Sequence, residues 1–179
     1  MSVRKLLQSV KSDWINHDRD WTRPGFRALF AYRVGVWRMT VRPRPIRVFF
    51  SLFYRILYRR ARNIYGIELP YSAKVGANVV IEHQHGIVVH GNCEIGDGTI
   101  LRQGVTLGIK DIAYLDDVPT VGRNVDIGAG AKIMGRVTIG DNAKIGANAV
   151  VIRDVPPNST AVGIPAKIIV KAESDVELL

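Results

Sequence analysis

Residues 121–151 read VGRNVDIGAGAKIMGRVTIGDNAKIGANAVV, and an aliphatic side chain returns at every sixth position: Val121, Ile127, Ile133, Ile139, Ile145 and Val151. A fixed short period of this kind marks a stacked repeat. The residue after the anchor is usually glycine, as at Gly122, Gly128, Gly140 and Gly146, where a tight corner leaves no room for a side chain. Four residues past each anchor the side chain is small or β-branched: Val125, Ala131, Val137, Ala143, Ala149 and Val155. That position and the next anchor are two apart, so in a short strand they share a face and both point inward. Such a unit is one side of a prism whose coils stack their strands ~4.8 Å apart. The expected fold is therefore mainly β, a parallel β-helix.

Upstream, the same period runs back through Leu107, Leu101, Ile95, Ile87, Ile81 and Val75, with two slips in phase. Two extra residues fall between Ile87 and Ile95, and a longer excess falls between Leu107 and Val121. Three units per turn then give about four coils, 75–92, 95–108 with the following loop, 121–138 and 139–156. A prism of fixed cross-section cannot absorb the second slip, so residues 109–120 are expected as an extruded loop.

The chain has 179 residues, 47% hydrophobic and 23% charged, the composition of a folded protein rather than a disordered one. Cys93 is the only cysteine; it can form no internal disulfide and no zinc cluster, which points to a reducing, cytoplasmic compartment. The opening MSVRKLLQSVKSDW has too short an apolar stretch for a secretory signal. The most apolar segment, Val48 to Tyr54, falls well short of the ~20 residues of a spanning helix.

Charge divides the chain. Residues 1–66 carry fifteen Lys and Arg against three Asp, while 67–179 carry ten against thirteen acids, within a net charge of +9. The first part reads as a basic α-helical region, with helices from 26 to 39 and 46 to 63 separated by Arg42-Pro43-Arg44-Pro45. Phe49, Leu52, Phe53, Ile56 and Leu57 form one stripe of the later helix, expected to pack on the rest of the protein while Arg55, Arg59, Arg60 and Arg62 reach solvent. The alternative for this basic helix is peripheral docking on anionic membrane lipid. No nucleic-acid reader motif accompanies the charge. The repeat domain is assigned to 67–170 and a C-terminal tail to 171–179.

Five motifs carry a resemblance: IEHQHGIVV at 81–89, QGVTLG at 103–108, IGAGAKI at 127–133, DVPP at 154–157 and AVGIPAK at 161–167. The segment resembles the hexapeptide-repeat acyltransferases, within them the serine acetyltransferase branch and most closely its polysaccharide O-acetyltransferase members. The resemblance implies a left-handed coil, against the usual right-handed crossover preference. It also implies a homotrimer with acetyl-CoA, the acetyl donor, in the groove between neighbouring prisms.

Acetyl transfer from a thioester to a hydroxyl needs a base, a donor for the tetrahedral oxyanion and a slot for the long donor molecule. The resemblance makes His83 the general base and Glu68 its orienting carboxylate, where relatives carry Asp. Glu82 matches an acceptor-binding carboxylate. His85, at the usually inward position of its unit, is expected to line the substrate or to be structural, and His90 to stand at the rim. Gly108, Ile109, Ala129 and Ala147 would line the donor groove by their backbone, with Lys144 and Lys167 near the phosphates. Cys93 has no counterpart role, so transfer is expected to be direct.

Two rivals are weighed on residues. A zinc enzyme of the same prism fold would need a third histidine with His85 and His90, and His17 is a poor candidate, so no metal is expected. A non-catalytic scaffold is disfavoured by the company His83 and Glu68 keep with the groove motifs. The acceptor is read from the loop. Serine acetyltransferases carry an Arg-His pair before the proline matching Pro119, and this chain has Asp117-Val118. Asp116 and Asp117 would repel an amino-acid carboxylate. The expected acceptor is accordingly a saccharide hydroxyl, on a surface-polysaccharide precursor, with serine O-acetyltransferase, feeding cysteine biosynthesis, as the alternative.

Overall fold

The structure, a computed structural model, describes residues 2–170; the tail assigned to 171–179 lies outside them. Three helices come first: α1 (Val3–Asn16), α2 (Pro24–Arg38) and α3 (Arg44–Tyr65). Ser2 caps α1 by accepting from the Lys5 N–H. Both later helices begin about two residues before their expected starts, because Pro24 and Pro45 occupy first-turn positions where a missing N–H costs no hydrogen bond. Gly66 ends α3 in the left-handed region, at φ 63°, its N–H bonded to the Ala61 carbonyl.

Very short strands then wind round three faces. The first face holds β1 (Ile67–Glu68), β4 (Ile87–Val89), β7 (Thr106–Gly108), β10 (Lys132–Met134) and β13 (Val150–Val151). The second holds β2 (Lys74–Val75), β5 (Glu94–Ile95), β8 (Thr120–Val121) and β11 (Thr138–Ile139). The third holds β3 (Val80–Ile81), β6 (Ile100–Leu101), β9 (Asp126–Ile127), β12 (Lys144–Ile145) and β14 (Ser159–Val162), closed by β15 (Lys167–Val170). All pairs are parallel except β14 with β15. The anchors and the small residues two before them fill the prism; Val125, Ile127, Ala131 and Ile133 are all at 0% exposure.

Two details differ from the periodicity reading. The prism begins before Val75, since Ile67, Leu69 and Ala73 are buried and β1 pairs with β4. The first slip also lies elsewhere. Val88 pairs with Thr106 and Val89 with Leu107, so Val89 is the anchor of that unit and Ile87 takes the inward position two before it. The two extra residues therefore sit between Ile81 and Val89, in the corner 82–86, where His85 and Gly86 have φ of 76° and 71°. The run from Val89 to Ile95 is regular. Cys93 fills its inward position, wholly buried, with Sγ 3.6 Å from the Leu107 carbonyl. Burial pushes its thiol up to about 11, which leaves no thiolate nucleophile at neutral pH.

The helical region covers the open end of the prism, where the first strand of each face would otherwise expose unpaired backbone. Tyr32 Oη donates to the Ala73 carbonyl (2.9 Å) and accepts from the Val75 N–H (3.0 Å). His17, buried, takes the Ile81 N–H on Nε2 at 3.2 Å while Nδ1 lies 2.6 Å from the Asp13 carbonyl, which fixes the Nδ1–H tautomer. The α2 backbone approaches β3 so closely at Gly25 that a Cβ there would lie 2.1 Å from the Ile81 carbonyl oxygen. Gly25→Val is expected to destabilise by roughly 1–3 kcal/mol, read as a lower melting temperature with faster proteolysis confined to residues 1–66. A native-like melt would show that α2 is free to shift.

Candidate active site

The two-residue excess makes the corner after β3 protrude. There Glu82, His83 and Gln84 line an open cleft with Gln103 from the next coil and Pro24 from the start of α2. His83 is exposed on it. Glu82 is not a free carboxylate: Arg102, its neighbour in the stack, places Nε 2.6 Å away and also pairs with Asp126. Those partners, Asp126 foremost, push the Arg102 guanidinium above its ordinary value.

His85 does not point inward as its spacing suggested. The displaced turn leaves it exposed, its N–H donating to the Tyr65 carbonyl at 2.8 Å and its Nε2 lying 3.2 Å from Gln84 Nε2. Glu68 faces outward on β1, beside Val88 in register. It accepts from Tyr58 Oη at 3.4 Å, and among the described residues no hydrogen bond joins it to His83. Burial and the adjacent Glu68 charge push the Tyr58 phenol up to about 12, so it remains a donor to that carboxylate.

The histidines are not one cluster. His90 lies past β4, at the next corner of the prism, where its Nδ1 accepts from the Asn92 N–H at 3.3 Å. Asn92 Nδ2 in turn donates to Asp116 in the extruded loop at 2.9 Å. Asp117 is paired with Arg136, Nη2 to Oδ1 2.9 Å. Gly108, buried, and Ile109, half-buried, stand at this same second corner.

Above His83 the first corner continues as a ladder: Gly104 N–H to the His85 carbonyl, Gly130 to Gln103 and Asn148 to Ala129, all at 2.8–2.9 Å. Half-buried Ala129 and exposed Ala147 thus form a smooth edge rising from the cleft. Lys144 is exposed on β12, and Lys167, exposed on β15, shares a cleft with Arg153. One chain therefore carries His83 and the alanine edge on one corner, and the loop, His90 and Gly108 on another.

Arg102, Pro24, Arg136 and Arg153 were not singled out from the sequence, and Gln103 stood there only as the first residue of the QGVTLG motif. Stack register finds the first: Ile81 pairs with Leu101, so the residues that follow them, Glu82 and Arg102, are neighbours. Among the described residues no group of three or more His, Cys, Asp or Glu could hold a metal ion.

Residues 119–153 match the family described as bacterial transferase hexapeptide (six repeats). The chain is 43% identical over 148 residues to a serine acetyltransferase of Helicobacter pylori, covering 83% of this chain and 82% of that protein. It is 38% identical over 160 residues to the serine acetyltransferase of Synechococcus elongatus (87% and 61% covered). With that of Escherichia coli K12 it is 38% identical over 151 residues (84% and 53%), so it spans 53–61% of the length of those two longer relatives. Serine acetyltransferase from Brucella abortus in complex with coenzyme A superposes with a TM-score of 0.80 at 28% identity, over 95% of this chain and 70% of that one. The soybean enzyme complexed with serine gives 0.77 at 32% identity, over 93% and 70%.

These relatives overturn the saccharide expectation and its polysaccharide setting, and favour the serine alternative. The physical reason lies in the loop. Read singly, Asp116 and Asp117 repel a carboxylate, but folded they are partnered by Asn92 and Arg136, and the pair brings a guanidinium to position 117.

Proposed function

The chain belongs to the serine acetyltransferase family of hexapeptide-repeat acyltransferases, and on that footing we propose that it transfers the acetyl group of acetyl-CoA to the hydroxyl of L-serine. The identity of 43% over 82% of the Helicobacter pylori relative carries this reading. His83 takes the hydroxyl proton as the serine oxygen attacks the thioester carbonyl. The C–O bond forms, the tetrahedral oxyanion collapses with loss of the C–S bond, and the imidazolium returns the proton to the coenzyme A thiolate. Glu68 stabilises the imidazolium, and Glu82, held by Arg102, faces the serine ammonium. Gln103, Ala129 and Ala147 guide the donor arm up the prism edge, Gly108 and Ile109 face it from the neighbouring chain, and Lys144 and Lys167 meet its phosphates.

Supporting a homotrimer is the division of the site between two corners of one chain. Three-fold symmetry sets the loop corner of each subunit against the His83 corner of the next. His90 then rims the acceptor site. Both substrates are metabolites of the cytoplasm, which is the compartment proposed.

Arg136 is the group proposed to grip the serine carboxylate, replacing the arginine that relatives carry in the loop. Thiol release from acetyl-CoA with L-serine tests the acceptor; no turnover above hydrolysis overturns it. Arg136→Ala is expected to raise the KM for serine ~10- to 100-fold, as loss of a charged hydrogen bond does, with kcat little changed. An unchanged KM would remove Arg136 from the site without touching the acceptor.

A further inference from the structure

The search of the molecule outside the catalytic corners ends at α3. Its inward face is Phe50, Tyr54, Leu57 and Ala61, with Tyr54 and Ala61 buried and Phe50 and Leu57 partly so. Of the stripe read from the sequence as packing on the protein, Phe49 (64% exposed), Leu52 (54%), Phe53 (40%) and Ile56 (59%) face solvent, joined by Ile46 (49%), while Leu57 is half-buried on the inward face. Five large apolar side chains on about three turns of one helix are far more than the scattered exposure of an ordinary surface.

The charge around this stripe has one sign. α3 contains six arginines and no acid, and among the described residues none of the six is in an ion pair. The acids of the helical region are used internally: Asp13 holds Arg33, Asp18 holds Arg23 and Asp20 caps Thr22. One helical turn beyond Phe53 and Ile56, Leu57 and Arg60 open into a cleft lined by Trp21, Phe26 and Phe30 with Arg27 at its rim.

We propose that α3 docks the enzyme on an anionic lipid surface, the stripe entering the headgroup–acyl boundary and the arginines meeting lipid phosphates. Charge selects this occupant over a second α3, because pairing two α3 faces about a two-fold axis would set arginines against arginines, whereas an anionic bilayer satisfies both the apolar and the charged parts. A polynucleotide would leave the stripe in water. Among the described residues no helix is long and apolar enough to cross a membrane, and the attachment proposed is peripheral. In the trimer, cyclic symmetry puts all three α3 helices at one end, which multiplies a weak single contact.

The test is co-sedimentation of the full chain with phosphatidylcholine vesicles, with and without about one third phosphatidylglycerol, alongside sedimentation velocity without lipid. Binding is expected only to the anionic vesicles and to fall with salt. Replacing Arg55, Arg59 and Arg60 by Gln should weaken it about a hundredfold. Phe49→Ser with Leu52→Ser should abolish it, while the melt, the sedimenting mass and serine acetylation stay as in the native chain. No binding to anionic vesicles overturns the proposal. So does a fall in sedimenting mass for the serine variant, which would make the stripe an interface between copies. Neither readout depends on the acceptor, so failure here leaves the transferase reading intact.

Discussion

His83→Ala is expected to lower kcat for acetyl transfer to serine by ~10²- to 10⁴-fold, the usual contribution of a positioned general base. The chain should fold normally, because His83 is exposed on a protruding corner and surface substitutions away from special features change stability by about 0.5 kcal/mol or less. Affinity for acetyl-CoA, measured by titration calorimetry, should be unchanged, since the edge proposed for the donor rises away from His83, from Gln103 through Ala129 to Ala147. Steady-state thiol release gives the decisive number. His85→Ala is the control on the same corner: it too is exposed, and its ring lies beside Gln84 and Gly66. A loss in His85→Ala as large as in His83→Ala would mean that the corner acts through its shape, and a His83→Ala enzyme within a few-fold of native would remove the base.

The period of six was legible because it is a packing rule: two side chains per unit point inward, one a large aliphatic and the other small or β-branched. Where the phase slips was less legible, for a local reason. In Ile87-Val88-Val89 either end is an acceptable anchor, and only the pairing of Val89 with Leu107 decides. That choice moved the extra residues from around Cys93 to the corner that bears His83 and His85. It also explains why the histidines divide between two corners when sequence proximity had gathered them.

The direction of α3 failed for a related reason. Phe50, Tyr54, Leu57 and Ala61 form an apolar face too, and the hydrophobic pattern alone ranks the exposed face first, because tyrosine and alanine count for little in it. In the loop the difficulty was range. Asp117 looks repulsive until Arg136 is brought beside it by the next coil, and sequence offers no pairing rule across an extruded segment of unknown path. Handedness was never in the period, which a right-handed coil would satisfy equally. It came from the resemblance, and the serine acetyltransferase structures that superpose on the chain agree with it.

The other large effect belongs to Asp13. Its carboxylate, 1% exposed, receives Arg33 Nε at 2.9 Å and Nη2 at 3.3 Å. The same guanidinium donates to the Val75 carbonyl at 3.0 Å and the Gly76 carbonyl at 2.7 Å, so one buried ion pair ties α1 and α2 to the end of β2. Asp13→Ala leaves a buried cation with two carbonyls and no counter-charge. The expected cost is about 3–5 kcal/mol, or a melting temperature lower by roughly 6–20 °C for a chain of this size, read by calorimetry. Replacing both partners, Asp13→Leu with Arg33→Met, should recover part of the loss, since a desolvated pair is worth little more than well-packed apolar groups, while the Val75 and Gly76 carbonyls still lose their donor. A single variant that melts as the native chain would show that water reaches Arg33. Catalysis should follow stability here, because α1 also delivers His17 to the Ile81 N–H, one residue before Glu82. An undocked α1 would free the strand that sets the position of His83, and the single variant should lose kcat at temperatures below its own melt, while the double variant keeps it.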